Sequence, residues 1–384
     1  RGVPIWLASR ATLAPMSRNL LPSLAALLLA ACAATPPKPA PVAPVPAPPT
    51  VATIPAGTPT AMPTRDTRAA RAEFVRSTAQ RFNIPAADIE AVLARAQIRE
   101  PIIKAMARPA EAKPWRDYRP IFIQPSRIEA GRAFLEKNRV ALQRAEDQYG
   151  VPKEIITAIL GVETSYGGNK GSYPVIDALY TLAFAYPRSG NPEKVAYEDK
   201  REAFFRDELA QLFALGKEEG FDITQLKGSY AGAMGWGQFM PSSYRQYAVD
   251  GDGDGKRDLF NDLDDVFASV ANYFAKKGKW QRDGKVMVPA MRTAMASDFI
   301  NPGNAVTLDQ TVPGLAGLGY TTTTGLTAAD TAQPVSLITL DGATGPEYWV
   351  VFNNFKAITT YNISRLYATA VFQLSEAIAG RAVP

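Results

Sequence analysis

The folded domain of this chain must lie after residue 66. Proline and alanine dominate the sequence before that point, and it offers few residues for a core. A segment of this composition forms a semi-extended tether rather than a packed domain. The rest of the chain is long enough to bury a sizeable core of its own. We therefore expect a single folded domain over residues 67–384, preceded by a tether over residues 32–66.

A short apolar run, Leu20–Ala31, follows a basic segment and ends in the tetrapeptide LAAC, whose last residue is Cys32. Such an arrangement is typical of a secretory signal, and the run is shorter than the roughly 20 residues that span a bilayer. The LAAC ending resembles a lipoprotein signal, in which the cysteine becomes the lipidated first residue. We predict such a signal over residues 1–31, with Met16 as an alternative start. A buried apolar helix with an incidental cysteine is the weaker interpretation.

Cys32 is followed by Ala33 and not by aspartate. By resemblance to lipoprotein sorting in Gram-negative bacteria, the alanine at this position predicts that the lipid-anchored protein is located at the periplasmic face of the outer membrane. The tether then allows the folded domain to reach a substrate at a distance from that membrane.

The chain has no histidine and a single cysteine. This excludes Ser-His-Asp and Cys-His catalysis, H-E-x-x-H zinc sites, intrachain disulfides and thiolate metal clusters. The net charge of +5 favours an anionic partner. Nucleic acid is not expected, because the basic residues form no arginine-rich runs with interleaved aromatics. Hydrolytic or transfer chemistry must therefore depend on carboxylates, hydroxyls, amides, lysine or a hard metal ion.

The spacing of apolar residues predicts a mainly helical domain. Helical spacing covers residues 67–107, 128–149, 153–162 or beyond, 176–185, 201–218, 265–276 and 367–379. Gly150 is the predicted stop of the second of these segments. Between residues 287 and 355, segments rich in valine, threonine and glycine predict short strands. We expect this small β module to be inserted before the last helix.

Glu163 follows helical spacing with Ile155, Ile159 and Val162, which places its carboxyl on or beside a buried stripe. Desolvation there would raise the pKa of the acid and keep it protonated near neutral pH, as a general acid requires. On this local pattern alone, a glutamate paired with lysine or arginine at a helix end is an equally good interpretation.

Four segments carry a resemblance to a known family. Gly161–Gly167 (GVETSYG) resembles the catalytic segment of the membrane-bound lytic murein transglycosylase B family, and Lys227–Tyr244 (KGSYAGAMGWGQFMPSSY) resembles its longest signature. Ser269–Tyr273 and Thr360–Asn362 continue the resemblance in the same order. It extends over roughly residues 67–379 and implies a lysozyme-like fold with a deep sugar-binding groove. The implied reaction cleaves the bond between N-acetylmuramic acid and N-acetylglucosamine without water and leaves 1,6-anhydro-muramic acid.

The resemblance implies that Glu163 is the sole acid and base, which first protonates the glycosidic oxygen and then deprotonates the muramoyl C6 hydroxyl. These motifs contain no convincing second carboxylate of the kind ordinary glycosidases use, which is consistent with help from the substrate's N-acetyl group. Ser229 or Asn362 is expected to orient that acetamido group, and Gln238 to bond the sugar or Glu163. A single tyrosine is more often a core residue than a ligand contact. The full set of implied groove residues is Tyr118, Ser229, Gln238, Tyr273, Tyr361, Asn362 and Tyr367.

The family usually has two adjacent arginines after Tyr-Pro, suited to the muramoyl peptide or the lactyl carboxylate. Here Arg188 occupies the first of these places and is an expected substrate contact. Ser189 follows, and an apparent insertion reaches Lys200 before Arg201. The second arginine, and the contacts near the peptide stem, stay open.

Residues 250–258 (DGDGDGKRD) fit the front half of an EF-hand loop, with oxygen ligands at positions 1, 3 and 5, glycine at 6 and a backbone carbonyl at 7. Asn261 stands where the closing glutamate is usual, and the family's pattern places that carboxylate at Asp265. We predict a structural calcium ion and no organic cofactor; a solvated acidic turn is the alternative. The predicted calcium ligands are Asp250, Asp252, Asp254, Lys256 and Asp265.

Two other functions fit the sequence. One is a muramidase that adds water, with Glu163 as the acid, and the other is a non-catalytic lipoprotein that binds peptidoglycan. The mass of the products separates the first from a transglycosylase, since the anhydro product lacks one water. We expect a monomer whose partners are peptidoglycan glycan strands and, through lipidated Cys32, a membrane.

Overall fold

Helices dominate the part of the chain that the computed structural model describes, which is residues 67–107, 113–303, 305–323 and 325–383. The signal, the tether and Cys32 lie outside these residues. Within them, no helix is both long and apolar enough to cross a membrane. The helices are α1 Thr67–Phe82, α2 Ala86–Leu93, α3 Glu100–Ala107, α4 Trp115–Phe122, α5 Pro125–Lys137, α6 Arg139–Tyr149, α7 Lys153–Thr164, α8 Val175–Phe184, α9 Val195–Glu219, α10 Pro241–Tyr247, α11 Leu263–Lys276, α12 Val312–Gly317, α13 Ala328–Thr331, α14 Asn353–Thr359 and α15 Arg365–Ile378.

Two small antiparallel sheets accompany the helices in the described residues. One pairs β1 with β2, and the other has the strand order β4-β3-β6-β5 and forms the predicted β module. Its longest pairing joins β5 and β6 in a hairpin. The strands are β1 Tyr173–Pro174, β2 Lys227–Gly228, β3 Met287–Arg292, β4 Tyr320–Thr322, β5 Ser336–Gly342 and β6 Gly345–Val351.

Two of the predicted helical segments are divided in the structure: residues 67–107 are helical as predicted but form three helices, whereas the single helix predicted over residues 128–149 is wrong. Residues 67–107 form α1, α2 and α3, with a break at Asn83, which adopts φ +51°, and at Pro85, which disfavours helical backbone at the residue before it. Residues 128–149 form α5 and α6, which meet at Asn138. The Asn138 side chain donates to the Phe134 carbonyl at 2.8 Å and competes with the helical backbone there.

Other helix ends agree with the sequence or extend beyond the prediction. Gly150 ends α6 in the left-handed conformation, with φ +74°. Helix α9 begins at Val195 and not near Arg201, because the apparent insertion supplies a 3-10 turn, Pro192–Lys194, and the first helical residues.

Helix α7 lies in the core, where it packs against α5, α6, α11 and α15. Every residue from Ile155 to Thr164 is buried. A helix that is buried all round carries any polar side chain into the interior, and Glu163 is one of these buried residues.

Candidate active site

Glu163 lies one residue before the end of α7, and its side chain is 4% exposed. Its Oε1 accepts a hydrogen bond of 2.6 Å from the hydroxyl of Tyr367 on α15. Its Oε2 is buried and has no hydrogen-bond partner among the described residues. Burial raises the pKa of Glu163 to about 7, against the opposing effect of the Tyr367 hydrogen bond. The carboxyl is therefore close to half protonated near neutral pH.

A sharp chain reversal directly follows Glu163. Ser165, Tyr166 and Gly167 all adopt left-handed backbone, with φ of 51°, 57° and 84°. A Cβ at Gly167 would lie 2.3 Å from the ring of Trp236, so only glycine fits that position. The motif residues after the acid thus end α7 abruptly and let the segment Lys227–Tyr244 approach it.

Arg127, on α5, holds this reversal in place through hydrogen bonds with Tyr166 and Gly161, and the sequence did not predict a role for Arg127 or Tyr166. The Tyr166 hydroxyl donates to the Arg127 carbonyl at 3.0 Å, and the Arg127 guanidinium donates to the Gly161 carbonyl. A Cβ at Gly161 would lie 2.6 Å from the Tyr166 ring. The position of Tyr166 in the catalytic motif could have indicated a role at the site. The sequence near Arg127 contains no motif that would have indicated one.

Three of the predicted groove tyrosines surround the acid. Burial raises the pKa of Tyr118, Tyr361 and Tyr367, and the charge of Glu163 raises it further in each case. The hydroxyl of Tyr361 donates to the Gly237 carbonyl at 2.5 Å, which fixes its ring against the long signature segment. Helix α4, the α14–α15 connection and α15 thus bring one tyrosine each to Glu163.

Tyr273 on α11 stands behind this group. Its ring packs edge-on to Tyr361 at a centroid distance of 4.9 Å, and its hydroxyl donates to the Thr360 carbonyl at 2.6 Å. Burial raises the pKa of Tyr273 to about 12. The structure therefore places Tyr273 as a support for Tyr361.

Ser229 and Gln238 both lie in the turns of the long signature segment. The Ser229 hydroxyl accepts from the backbone N–H of Ala233 at 3.1 Å. The Gln238 Nε2 donates to the carbonyls of Lys170 at 3.2 Å and Gly235 at 3.0 Å. These two bonds use both amide hydrogens, so in this structure Gln238 does not donate to Glu163. Ser229 and Asn362, the remaining polar groove residue, are buried, whereas Gln238 is half-buried.

Arg188 lies in a different environment from the tyrosines. Its guanidinium pairs with Asp199, at 2.9 Å, and with Glu202. Arg201 packs its guanidinium over the ring of Phe205 at 4.8 Å. Its Nε and Nη2 are buried and have no hydrogen-bond partner in the described part of the chain. The insertion therefore contributes an acid, Asp199, that forms an ion pair with the Arg188 guanidinium.

The family of this chain follows from comparison with known proteins. Residues 66–376 match the family model described as the transglycosylase SLT domain. The chain belongs to this transglycosylase family. It is 37% identical, over 319 residues, to membrane-bound lytic murein transglycosylase B of Escherichia coli strain K12; the match covers 80% of this chain and 82% of that protein. The predicted family, enzyme class and mainly helical lysozyme-like fold are confirmed.

Solved structures agree with this assignment. The catenated lytic transglycosylase SltB1 of Pseudomonas aeruginosa is 40% identical, with a TM-score of 0.72, covering 80% of this transglycosylase and 96% of that chain. The E. coli lytic transglycosylase Slt35, in complex with calcium, is 36% identical with a TM-score of 0.69, covering 80% and 91%. P. aeruginosa SltB3, in complex with NAG-NAM-pentapeptide, is 29% identical with a TM-score of 0.69, covering 82% and 80%.

The acidic loop of the transglycosylase connects α10 to α11. The carboxylates of Asp250, Asp252 and Asp254 each offer an oxygen within 4.8 Å of the others, and all three residues are exposed. Three converging carboxylates fit a hard cation such as calcium, and they would repel one another without one.

Asp265 is not part of this carboxylate group. It is buried, and its two oxygens accept from the backbone N–H of Gly251 and of Asp258, each at 2.6 Å. Asp265 thus ties both ends of the loop to the first turn of α11. The EF-hand geometry expected to include this residue is not confirmed.

Proposed function

We propose that this transglycosylase cleaves the β-1,4 bond between N-acetylmuramic acid and N-acetylglucosamine in peptidoglycan and forms 1,6-anhydro-muramic acid. The observation that carries the proposal is the buried carboxyl of Glu163, with a pKa raised to about 7 and with Oε2 unpartnered within the described residues. A group with this pKa can both give and take a proton near neutral pH.

In the first step, protonated Glu163 donates its proton from Oε2 to the glycosidic oxygen. The bond between C1 of the muramoyl ring and that oxygen breaks, and the N-acetylglucosamine unit leaves with a free hydroxyl. The carbonyl oxygen of the substrate's own N-acetyl group attacks C1 and takes the positive charge. During this step the Tyr367 hydroxyl donates to Oε1 and stabilises the carboxylate that forms.

In the second step, the Glu163 carboxylate removes the proton from the muramoyl C6 hydroxyl. The C6 oxygen attacks C1 and displaces the N-acetyl oxygen, which closes the 1,6-anhydro ring and regenerates the protonated acid. No water enters either step, so one side chain that carries one proton suffices for the cycle.

The electrostatic surroundings of Glu163 favour a single-acid mechanism. Within the described part of the chain, the groups that shift its pKa include no second carboxylate. A retaining glycosidase needs a partner carboxylate roughly 5–5.5 Å away, and an inverting one needs a base that holds water. The acid is buried among tyrosines, which supports intramolecular attack by the substrate over hydrolysis.

Several residues around Glu163 would contact the substrate. Tyr118, Tyr361 and Tyr367 would offer ring faces and hydroxyls to the sugars next to Glu163. Because the amide nitrogen of Gln238 is engaged, its Oε1 would accept a sugar hydroxyl. Ser229, Asn362, Tyr273 and Arg188 complete the proposed set, although Arg188 must share its guanidinium with Asp199 and Glu202.

Digestion of purified sacculi, followed by mass spectrometry of the products, tests the proposal. We expect anhydro products from the wild type, lighter by one water than muramidase products. In Glu163→Gln, turnover should fall by about 10²- to 10⁴-fold, because the amide cannot shuttle a proton. Asp309→Asn, at an exposed acid in the β module, is the matched control and should retain turnover. Hydrated products or an active Glu163→Gln protein would contradict the mechanism.

We also propose that the acidic loop binds a structural calcium ion. Asp250, Asp252 and Asp254 would supply side-chain oxygens, and Lys256 would supply its backbone carbonyl. Asp265 would orient the loop through its two backbone hydrogen bonds and complete the ligand set if the loop tightens around the ion. The calcium complex of Slt35 supports this assignment.

The LAAC sequence supports a further proposal, that Cys32 is lipidated and anchors the protein to the periplasmic face of the outer membrane. The name of the E. coli relative describes a membrane-bound protein, which is consistent with such an anchor. Cys32→Ala should abolish lipidation and release the protein into the soluble fraction after cell lysis. Fractionation of the variant beside wild type measures this, and Cys32→Ala protein that stays in the membrane fraction would argue against the anchor.

A further inference from the structure

A cavity of about 860 Å³ lies between α4 and the four-stranded sheet. Helix α4 contributes Trp115 and Arg119 to its wall, and the sheet contributes Arg292, Glu347 and Trp349. None of the tyrosines around Glu163 lines it. Its volume falls in the range of about 300–1,000 Å³ that small-ligand pockets occupy.

Arg119 presents a guanidinium with two free nitrogens to this cavity. Its Nε donates to Oε1 of Gln373 on α15 at 2.7 Å, which fixes the plane of the group. Its two terminal nitrogens have no hydrogen-bond partner among the residues that the structure describes. An arginine whose Nε is hydrogen-bonded to the protein and whose terminal nitrogens are available can bind a carboxylate through two parallel hydrogen bonds.

The other two arginines of the cavity are paired at its edges. Arg116 pairs with Asp341 at 2.7 Å near the exposed mouth, and Arg292 pairs with Asp298 at 2.9 Å. Glu347 is the acid among the lining residues. Because acids pair with those two arginines, Arg119 is the arginine of the lining that is left to bind the carboxylate of a ligand, with Glu347 nearby.

Glu347 and two indoles form the inner wall. Burial raises the pKa of Glu347, whereas the indole N–H groups of Trp349 and Trp115 and the nearby charge of Arg119 lower it. Neither indole nitrogen makes a hydrogen bond of full geometry within the described residues, although both are buried. The two indoles thus back Glu347, whose carboxylate can accept from the N–H groups of a peptide beside the Arg119 guanidinium.

We propose that this cavity binds a short carboxylate-bearing peptide, namely a peptide stem of the peptidoglycan strand, with its carboxylate on Arg119. The proposal rests on the proposed function, because that function supplies a substrate with peptide stems. Helices α4 and α15 connect the two sites, since Tyr118 and Tyr367 act on Glu163 while Arg119 and Gln373 line the cavity. A stem bound here would keep the strand near the active site by raising its effective concentration.

Titration of the Glu163→Gln protein with a free pentapeptide tests the cavity without turnover. The readout is the pair of indole N–H signals of Trp115 and Trp349 in a nitrogen-edited NMR spectrum. We expect saturable shifts of both signals, and a dissociation constant that rises by about tenfold in Arg119→Gln on the same background. A pentapeptide whose C-terminal carboxylate is replaced by an amide should bind to the Glu163→Gln protein weakly. Its dissociation constant should match that of the unmodified pentapeptide with the Arg119→Gln variant.

Arg76→Gln serves as the matched control, because Arg76 is exposed on α1 and pairs with its helical neighbour Glu73. It should leave the dissociation constant unchanged. If Arg119→Gln does not fold, Arg116→Gln at the exposed mouth provides the second variant, for which we expect an increase of about threefold.

Unmoved indole signals at saturating pentapeptide would overturn the proposal. So would equal affinity in wild-type and variant cavities, or equal shifts with a glycan that carries no peptide. These outcomes are separable from failure of the proposed function, which would appear as hydrated products from sacculi digested by the wild-type enzyme.

Discussion

At the scale of single residues, two opposing effects act on Glu163. Its burial in α7 favours the protonated acid, and the Tyr367 hydroxyl favours the carboxylate by donating to Oε1. The pKa of about 7 is the balance between them. A general acid that later acts as a base needs this balance, because a pKa far from the working pH would slow one of the two proton transfers.

Tyr367→Phe removes the hydrogen bond that lowers the pKa of Glu163, so we expect this pKa to rise. Donation requires the protonated acid, and the alkaline limb of the kcat/KM profile should therefore move to higher pH. A charged hydrogen bond is worth about 1.5–3 kcal/mol, which corresponds to a displacement of about one to two pH units. Tyr320→Phe in the β module is the control and should leave the limb in place; movement to lower pH in Tyr367→Phe would contradict the assignment.

At the scale of elements, backbone hydrogen bonds to Asp262 and Asp265 connect the acidic loop to helix α11. Asp262 caps α11 by accepting from Asp264 N–H at 2.8 Å, and Asp265 accepts from Gly251 and Asp258 in the loop. The three exposed carboxylates of this loop lie within reach of one cation, which would reduce their mutual repulsion and hold the loop more firmly. Since α11 also carries Tyr273, a firm loop supports the tyrosines at the active site.

Calcium should raise the melting temperature of the purified protein, and chelator should reverse the effect. Binding at a hundredfold excess over the dissociation constant stabilises the folded state by about 2.7 kcal/mol, which corresponds to a rise of several degrees. Asp250→Asn should lose most of this response, whereas Asp309→Asn should keep it. Differential scanning calorimetry measures both variants, and an identical melt with calcium and with chelator would refute the site.

At the scale of the whole molecule, the catalytic acid lowers the stability of the fold. Its pKa is about 7 when folded and 4.5 in the reference state that represents the unfolded chain. Between these values the folded protein binds more protons, so this group's contribution to stability decreases as pH rises through that window. Above pH 7 the full cost is present, and the difference of pKa corresponds to about 3 kcal/mol.

Glu163→Gln should therefore stabilise the protein in a pH-dependent way. At pH 8 we expect its free energy of unfolding to exceed that of wild type by about 3 kcal/mol, because the amide carries no charge to desolvate. Below pH 4.5 the two proteins should converge, since the wild-type carboxyl is then protonated. Urea unfolding at both pH values measures the difference; a gap that is independent of pH would contradict a raised pKa at Glu163.

Composition, motifs and apolar spacing are enough to predict the chemistry that is open to this chain and the kinds of elements it forms. The absence of histidine excluded histidine-based catalysis, a short motif that resembles the family's catalytic segment singled out Glu163, and local apolar spacing predicted the helices and the β module. These features are local, because periodicity and composition act over a few turns of chain. For the same reason spacing missed the break at Asn138, where one side chain competes with the helical backbone.

The raised pKa of Glu163, in contrast, depends on how distant segments pack around its carboxyl. The hydroxyl that it accepts from belongs to Tyr367, which lies 204 residues later in the chain. The spacing of residues also could not predict that the Gln238 side chain donates to the carbonyls of Lys170 and Gly235. Burial, hydrogen-bond partners and pKa depend on which distant segments pack together, and no pattern within a single segment contains that information.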